Sequence, residues 1–165
     1  KMNQLFGEQD HFKIELLEHV YLHFPRLINI AVDKNGEQIG HICFIPFNKS
    51  GYDKMLDPNL DEEDLSVEDL FQKDIDAEMY LFVYSIFAKT SFLCKSLVKE
   101  TITAARTYAD FISPESIIFA EVVSKQGGLL AKRMSLQKYL TYKFRDQELH
   151  LFKSSISSYV NSLNN

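Results

Sequence analysis

Residues 77–98 decide the fold: Ala77-Glu78-Met79-Tyr80-Leu81-Phe82-Val83-Tyr84-Ser85-Ile86-Phe87-Ala88-Lys89-Thr90-Ser91-Phe92-Leu93-Cys94-Lys95-Ser96-Leu97-Val98. The first half is almost wholly apolar or aromatic. A run of this length predicts a central strand, Met79–Ala88, covered on both faces. The period then changes. Leu93, Leu97, Val98, Ile102, Ala105, Ala109 and Ile112 share one side of a helix, so Ser91–Ile112 reads as a long helix packed on the sheet. Ser113-Pro114 breaks it, and Ile117–Val123 is a second buried strand.

Working outward, Phe12, Leu16, Leu17, Val20 and Phe24 recur at helical spacing, which predicts a helix over Glu8–Phe24 ended by Pro25. Strands Leu27–Val32 and Glu37–Phe47 flank Asp33-Lys34-Asn35-Gly36, an Asn-Gly turn of the kind that closes tight hairpins. Residues 48–78 read as an insert with one short helix, started by Ser66-Val67-Glu68-Asp69. On the other side come a short helix, Gly127–Met134, and strands Lys138–Phe144 and Glu148–Lys153 joined by Arg145-Asp146. The tail, Ser154–Asn165, reads either as a last helical turn or as a frayed end. The expectation is one α+β domain over residues 1–165, with a mixed, mostly antiparallel sheet and helices on its faces.

Composition narrows the function classes. The 165 residues are 45% hydrophobic and 25% charged, ordinary values for a folded chain. Its size permits a full core without a disulfide or structural metal. Charge is uneven: residues 57–78 hold ten Asp or Glu against one Lys, whereas residues 79–165 hold eleven Lys or Arg against six acids. That split suits an anionic ligand in one place and a cationic one in another. A pI near 5.5 and the lack of any basic run argue against nucleic acid. No segment has the roughly 20 apolar residues of a membrane span, and the first residues lack a signal peptide's apolar stretch. Cys43 and Cys94 form no CxxC pattern and read as reduced thiols, which together predict a cytoplasmic location. His11, Glu15, His19 and His23 follow at four-residue spacing, but without HExxH the simpler account is a half-exposed stripe, and no metal is expected.

The element order and two segments resemble the GNAT-type N-acetyltransferase superfamily over nearly the whole chain. Residues 77–98 look like its central strand, pyrophosphate loop and following helix. Glu121-Val122-Val123-Ser124, with Gly128-Leu129-Leu130-Ala131-Lys132-Arg133-Met134-Ser135-Leu136, looks like its next strand and short helix. The hairpin around Gly36-Glu37-Gln38-Ile39-Gly40-His41-Ile42 has a similar character. The resemblance implies acetyl-CoA as co-substrate, its pantetheine arm between two splayed strands and its pyrophosphate at the N-terminus of the long helix. It therefore assigns Tyr84, Ile86, Lys89, Thr90, Ser91, Phe92, Leu93, Cys94, Lys95 and Ser124 to the cofactor. Two glycines of the family loop fall on Phe92 and Cys94, the tyrosine that commonly protonates the leaving thiolate on Ala131, and the glycine of Gly-Phe on Ser135.

Acetyl transfer to an amine by direct attack in a ternary complex needs a base for the amine, a backbone donor for the thioester oxygen and a proton for the sulfur. Glu78 and Glu121 are candidate bases. Tyr139 is the candidate acid, with Tyr80, Tyr84 and Tyr142 as substitutes, and the oxyanion donor would be a backbone N–H near Tyr84–Ile86. The acidic insert fits a cationic small-molecule or peptide acceptor, and an oligomer is compatible with the sequence. The rival expectation is a non-catalytic domain of the same fold that binds a protein through its sheet edge or insert. A third is an unrelated α+β binding module.

Overall fold

The computed structural model describes residues 12–57, 59–60, 62–108, 116–144 and 147–158. The helix start at Glu8, His11, the helix end at Ala109–Ile112, the Ser113-Pro114 break, the Arg145-Asp146 turn and residues 159–165 lie outside them.

Among the described residues, ten α-helices and strands follow in order: α1 (Ile14–His23), β1 (Ile28–Val32), β2 (Gln38–Phe47), α2 (Lys49–Met55), β3 (Tyr80–Ala88), α3 (Ser91–Tyr108), β4 (Ile117–Val122), α4 (Lys125–Arg133), β5 (Gln137–Phe144) and β6 (Gln147–Ser155). The six strands form one sheet in the order β1-β2-β3-β4-β6-β5. Among the described residues only β3 and β4 pair in parallel; the other neighbours are antiparallel. This is the mixed α+β architecture the sequence predicts. The long helix α3 supplies the crossover that a parallel pair requires.

Alternation along the strands divides the sheet into two faces. One carries an aromatic layer in which Phe82 meets Phe119 at 5.1 Å and Phe47 at 6.2 Å between ring centroids. Phe12 and Tyr52 close it, Tyr52 edge-on to Phe119 at 5.0 Å. Each fully buried ring contributes roughly 2–3 kcal/mol by leaving water. The other face receives α3. A Cβ on Gly40 of β2 would lie 2.9 Å from Leu93 and 3.0 Å from both Leu97 and the Phe87 carbonyl. Glycine there lets the helix approach the sheet closely.

Several boundaries move. Phe12 and Lys13 precede α1 rather than belonging to it, although Phe12 is buried. Leu27 sits in a 3-10 turn, Pro25–Leu27, that feeds β1. α4 begins at Lys125, because Ser124 caps it, and β6 runs on to Ser155. The insert differs most. Its α-helix is α2, capped by Asn48, whose side chain accepts the Gly51 N–H at 3.0 Å. The segment after Ser66 is a single 3-10 turn, Val67–Asp69. Asp69 holds the insert together: its buried carboxylate takes Lys54 at 2.7 and 2.8 Å, the Ser66 N–H at 3.0 Å and the Ser50 hydroxyl at 3.3 Å. Leu65, Leu70 and Phe71 then pack into the core, so the insert is a built layer on the aromatic face.

Candidate active site

Pairing between β3 and β4 lasts only from Tyr80–Ile117 to Phe82–Phe119. Beyond it, β3 follows β2 to Ala88 and β4 follows β6 to Val122, so the two strands part. A bulge marks the place: Phe44 pairs with Val83 and Cys43 with Ser85, leaving Tyr84 as the extra residue on β3. Bulges bend and twist a strand, which suits a strand leaving its neighbour. Tyr84 turns its ring onto Phe12, edge-on at 5.0 Å.

α3 starts three residues after β3 ends. Thr90 caps it: its hydroxyl accepts the Leu93 N–H at 3.1 Å and its carbonyl the Cys94 N–H at 3.0 Å. The Lys89 N–H donates to the Ile39 carbonyl at 2.9 Å and ties the loop to β2. The helix start carries the positive end of the peptide dipole, and Lys89 and Lys95 are exposed beside it. The Phe92 ring is 79% exposed, so it does not fill the gap between the strands. Leu93 and Ile86 are half-buried against the core. Burial pushes the Cys94 thiol up, against a smaller downward pull from Arg133 of α4. That pull places the cation of one helix within electrostatic reach of the other. Ser124 accepts the Gly127 N–H at 3.0 Å as the cap of α4.

On the aromatic face, Glu121 lies two residues beyond the last paired position of β4. Burial raises its pKa, and a smaller opposing effect comes from the Tyr142 hydroxyl, which donates to it. Tyr142 is pushed above the ordinary phenol range by burial first, then by Glu121, with the Glu62 charge of the insert adding to it. The structure thus brings together a carboxyl group from β4, a phenol from β5 and an acidic residue from the insert. The sequence reading offered Glu121 as a base and Tyr142 as a substitute acid, but not the bond between them. The signal was cross-strand: β6 separates the two, with Leu151 opposite Glu121 and Leu149 opposite Tyr142.

Glu78 is not brought to this place. Glu78 precedes β3 at the paired end, where the Tyr80 hydroxyl donates to it and Tyr80 stacks on Tyr52 at 4.5 Å. From there to the level of Glu121 is about six residues of strand, or ~20 Å. Tyr139 is the bulge residue of β5, level with Ala120 and Glu121 across β6, but its ring is covered by the Lys153 ammonium at 3.3 Å. Ala131 is buried, and Ser135 adopts φ 59°. The His19 and His23 rings stack at 4.0 Å, and among the described residues no three ligating side chains gather as a metal site. No described helix is long and apolar enough to cross a membrane.

No protein-family model matches the chain, and no curated protein matches it in sequence. Solved structures do match. NAA60 of Arabidopsis thaliana in complex with acetyl-CoA is similar with a TM-score of 0.58 at 13% identity, over 94% of this chain and 92% of that one. Naa20 of Chaetomium thermophilum in complex with a bisubstrate analogue gives 0.57 at 12% identity, over 92% of this chain and 77% of that one. The NatC complex bound to Gag peptide and CoA gives 0.56 at 14%, over 93% and 87%. The chain has the GNAT-type acetyltransferase fold.

Proposed function

We propose that this protein transfers an acetyl group from acetyl-CoA to an amine, with the cofactor arm between the parted ends of β3 and β4. The observation that carries the reading is the end of β3–β4 pairing after Phe82 and Phe119, with the capped start of α3 just beyond. Pyrophosphate would rest on the first N–H groups of α3, with Lys89, Thr90, Ser91 and Lys95 around it. Backbone near the Tyr84 bulge would donate to the thioester oxygen. Similar folds hold acetyl-CoA, CoA with a peptide, or a bisubstrate analogue, which supports the cofactor and an amine or peptide acceptor.

The neutral amine attacks the thioester carbon, forming the C–N bond and then breaking the C–S bond. Glu121, with its raised pKa, takes the proton released by the nitrogen. Once Glu121 is protonated, the charge that held the Tyr142 proton is gone, so Tyr142 gives that proton to the thiolate. The Glu121 proton then moves to the phenolate across their hydrogen bond. The net transfer is one proton from amine to sulfur. The acidic insert, with Glu62 beside Tyr142, favours a cationic acceptor.

Buried Ala131 in place of the family tyrosine favours the second reading, a domain of this fold that binds a protein without catalysis. Calorimetry with acetyl-CoA separates the two. Micromolar binding that Ser91→Trp abolishes is expected and leads to an acceptor screen with peptides and polyamines. No heat at high concentration overturns the transferase.

A further inference from the structure

The aromatic face carries a second polar group beside the cleft, on β3. Phe82 pairs with Ile45 on one side and Phe119 on the other. Ser85 pairs with Cys43, two residues along β2 from Ile45, because the Tyr84 bulge takes up the extra residue. Glu121 stands two residues along β4 from Phe119. Alternation therefore sets Ser85 and Glu121 on one face and at one level, on opposite sides of the gap where β3 and β4 part. The serine is held in place. Its Oγ lies 2.7 Å from Nε2 of His41, and Nδ1 of that ring lies 2.7 Å from the Gln38 amide nitrogen. The amide N–H donates to Nδ1, so the Nε2–H donates to the serine oxygen. The Phe87 ring, on the register partner of His41, lies 6.0 Å from the imidazole. Gln38, His41 and Ser85 are all half-buried, so the hydroxyl is reachable from outside. A hydroxyl oxygen has two lone pairs, and the bond to His41 leaves room for one more donor.

We infer that Ser85 is a further catalytic residue, which accepts one N–H of the attacking amine, and that His41 is its positioning residue. The inference rests on the transferase reading above. A primary amine has two N–H groups and one lone pair. With one N–H given to Glu121 and the other to Ser85 Oγ, the lone pair is left to point between the strands, at the thioester carbon. Paired strands stand ~4.8 Å apart. Two hydrogen bonds of ~3 Å meeting at one nitrogen span at most ~6 Å, so a gap just opening suits that bridge. A secondary amine has a single N–H and loses one of the two anchors.

The probes are two pools of random-sequence peptides, one with primary amines at the amino terminus and at lysine, the other with both monomethylated. Spermidine is added to the first pool and its N-methylated form to the second. Acetyl-CoA is supplied, products are counted by mass spectrometry, and calorimetry follows acetyl-CoA binding. Wild type is expected to favour the primary pool. Ser85→Ala lowers that preference about tenfold, the worth of one hydrogen bond, with acetyl-CoA affinity unchanged. Ser85→Cys lowers it as well, although sulfur is the larger atom and a weak acceptor, which separates the bond from space for the methyl group. Ser85→Thr keeps the preference, and His41→Phe loses it because the hydroxyl is no longer held. Circular dichroism verifies the fold of each variant. No preference in wild type, or an unchanged preference in Ser85→Ala, overturns the role of Ser85 and leaves the transferase standing. No product from either pool overturns both.

Discussion

On the side where α3 begins, the cleft is lined by exposed side chains and by the backbone of an ordinary capped helix start. On the opposite side, Glu121 and Tyr142 are drawn out of water and bonded to each other, and the insert is anchored by a buried carboxylate. The first side depends on geometry that many sequences supply. The second depends on particular groups at particular places. Substitution should therefore cost the two sides differently: Phe92 and Cys94 stand where the resemblance expects glycines, at a helix start that forms all the same, whereas the buried Glu121–Tyr142 pair depends on both of its groups.

The sharpest way to break that contrast is Glu121→Gln. Removing a general base costs roughly 100-fold or more in kcat, while acetyl-CoA affinity is expected to stay unchanged. Steady-state kinetics on an identified acceptor, alongside calorimetry, checks both. A parallel fall in cofactor affinity would show that the two sides are one unit.

Asp69→Ala comes next, with an expected loss of about 2–3 kcal/mol in denaturant unfolding. It leaves Lys54 and the Ser66 N–H without their carboxylate. Burial alone would raise the Asp69 pKa, but Lys54 and Ser66 outweigh it and the net shift is downward. A carboxyl depressed on folding stabilises above its unfolded pKa and loses that contribution as pH falls through the folded value. Wild type should therefore lose stability below about pH 4, and the alanine variant should lack that increment.

Much of the first side was legible in the sequence. The apolar run from Met79, the switch to helical period at Ser91 and the Asn-Gly hairpin are local signals, and all three elements formed. The second side was less so. α2 went unread because Gly51 sits inside a seven-residue helix. Its reason is tertiary: a Cβ there would lie 2.4 Å from the Asp69 carbonyl. Tyr139 and Tyr142 are three apart, which a regular strand sends to opposite faces. The bulge at Tyr139 puts both on the aromatic face, and a bulge depends on pairing that the sequence does not display.

Phe92→Gly sharpens the comparison from the other side. The backbone at Phe92 is not left-handed, so glycine would serve there only to bring phosphate nearer. Acetyl-CoA should bind roughly tenfold more tightly, the worth of one additional charge-assisted hydrogen bond. Unchanged affinity would mean that the exposed ring already leaves the N–H groups open.

Ser135→Gly has the smallest effect and isolates the other use of glycine. Ser135 follows α4 at φ 59°, the Leu136 N–H reaches the Ala131 carbonyl at 2.9 Å and the Ser135 N–H reaches Lys132 at 2.9 Å. These are the bonds of a helix end that turns through a left-handed residue, with buried Leu136 and Ala131 as its apolar contact. A side chain in that region costs about 1–2 kcal/mol, and glycine returns part of it through a freer unfolded chain. The net expectation is about 0.5–1 kcal/mol of added stability, or a Tm roughly 1–4 °C higher. Affinity for acetyl-CoA should not move. If Ser135→Gly stabilises without tightening, and Phe92→Gly tightens without stabilising, then glycine at these two positions serves two separate purposes. One is relief of backbone strain, which the fold absorbs at Ser135; the other is access to the start of α3, where the Phe92 ring points outward.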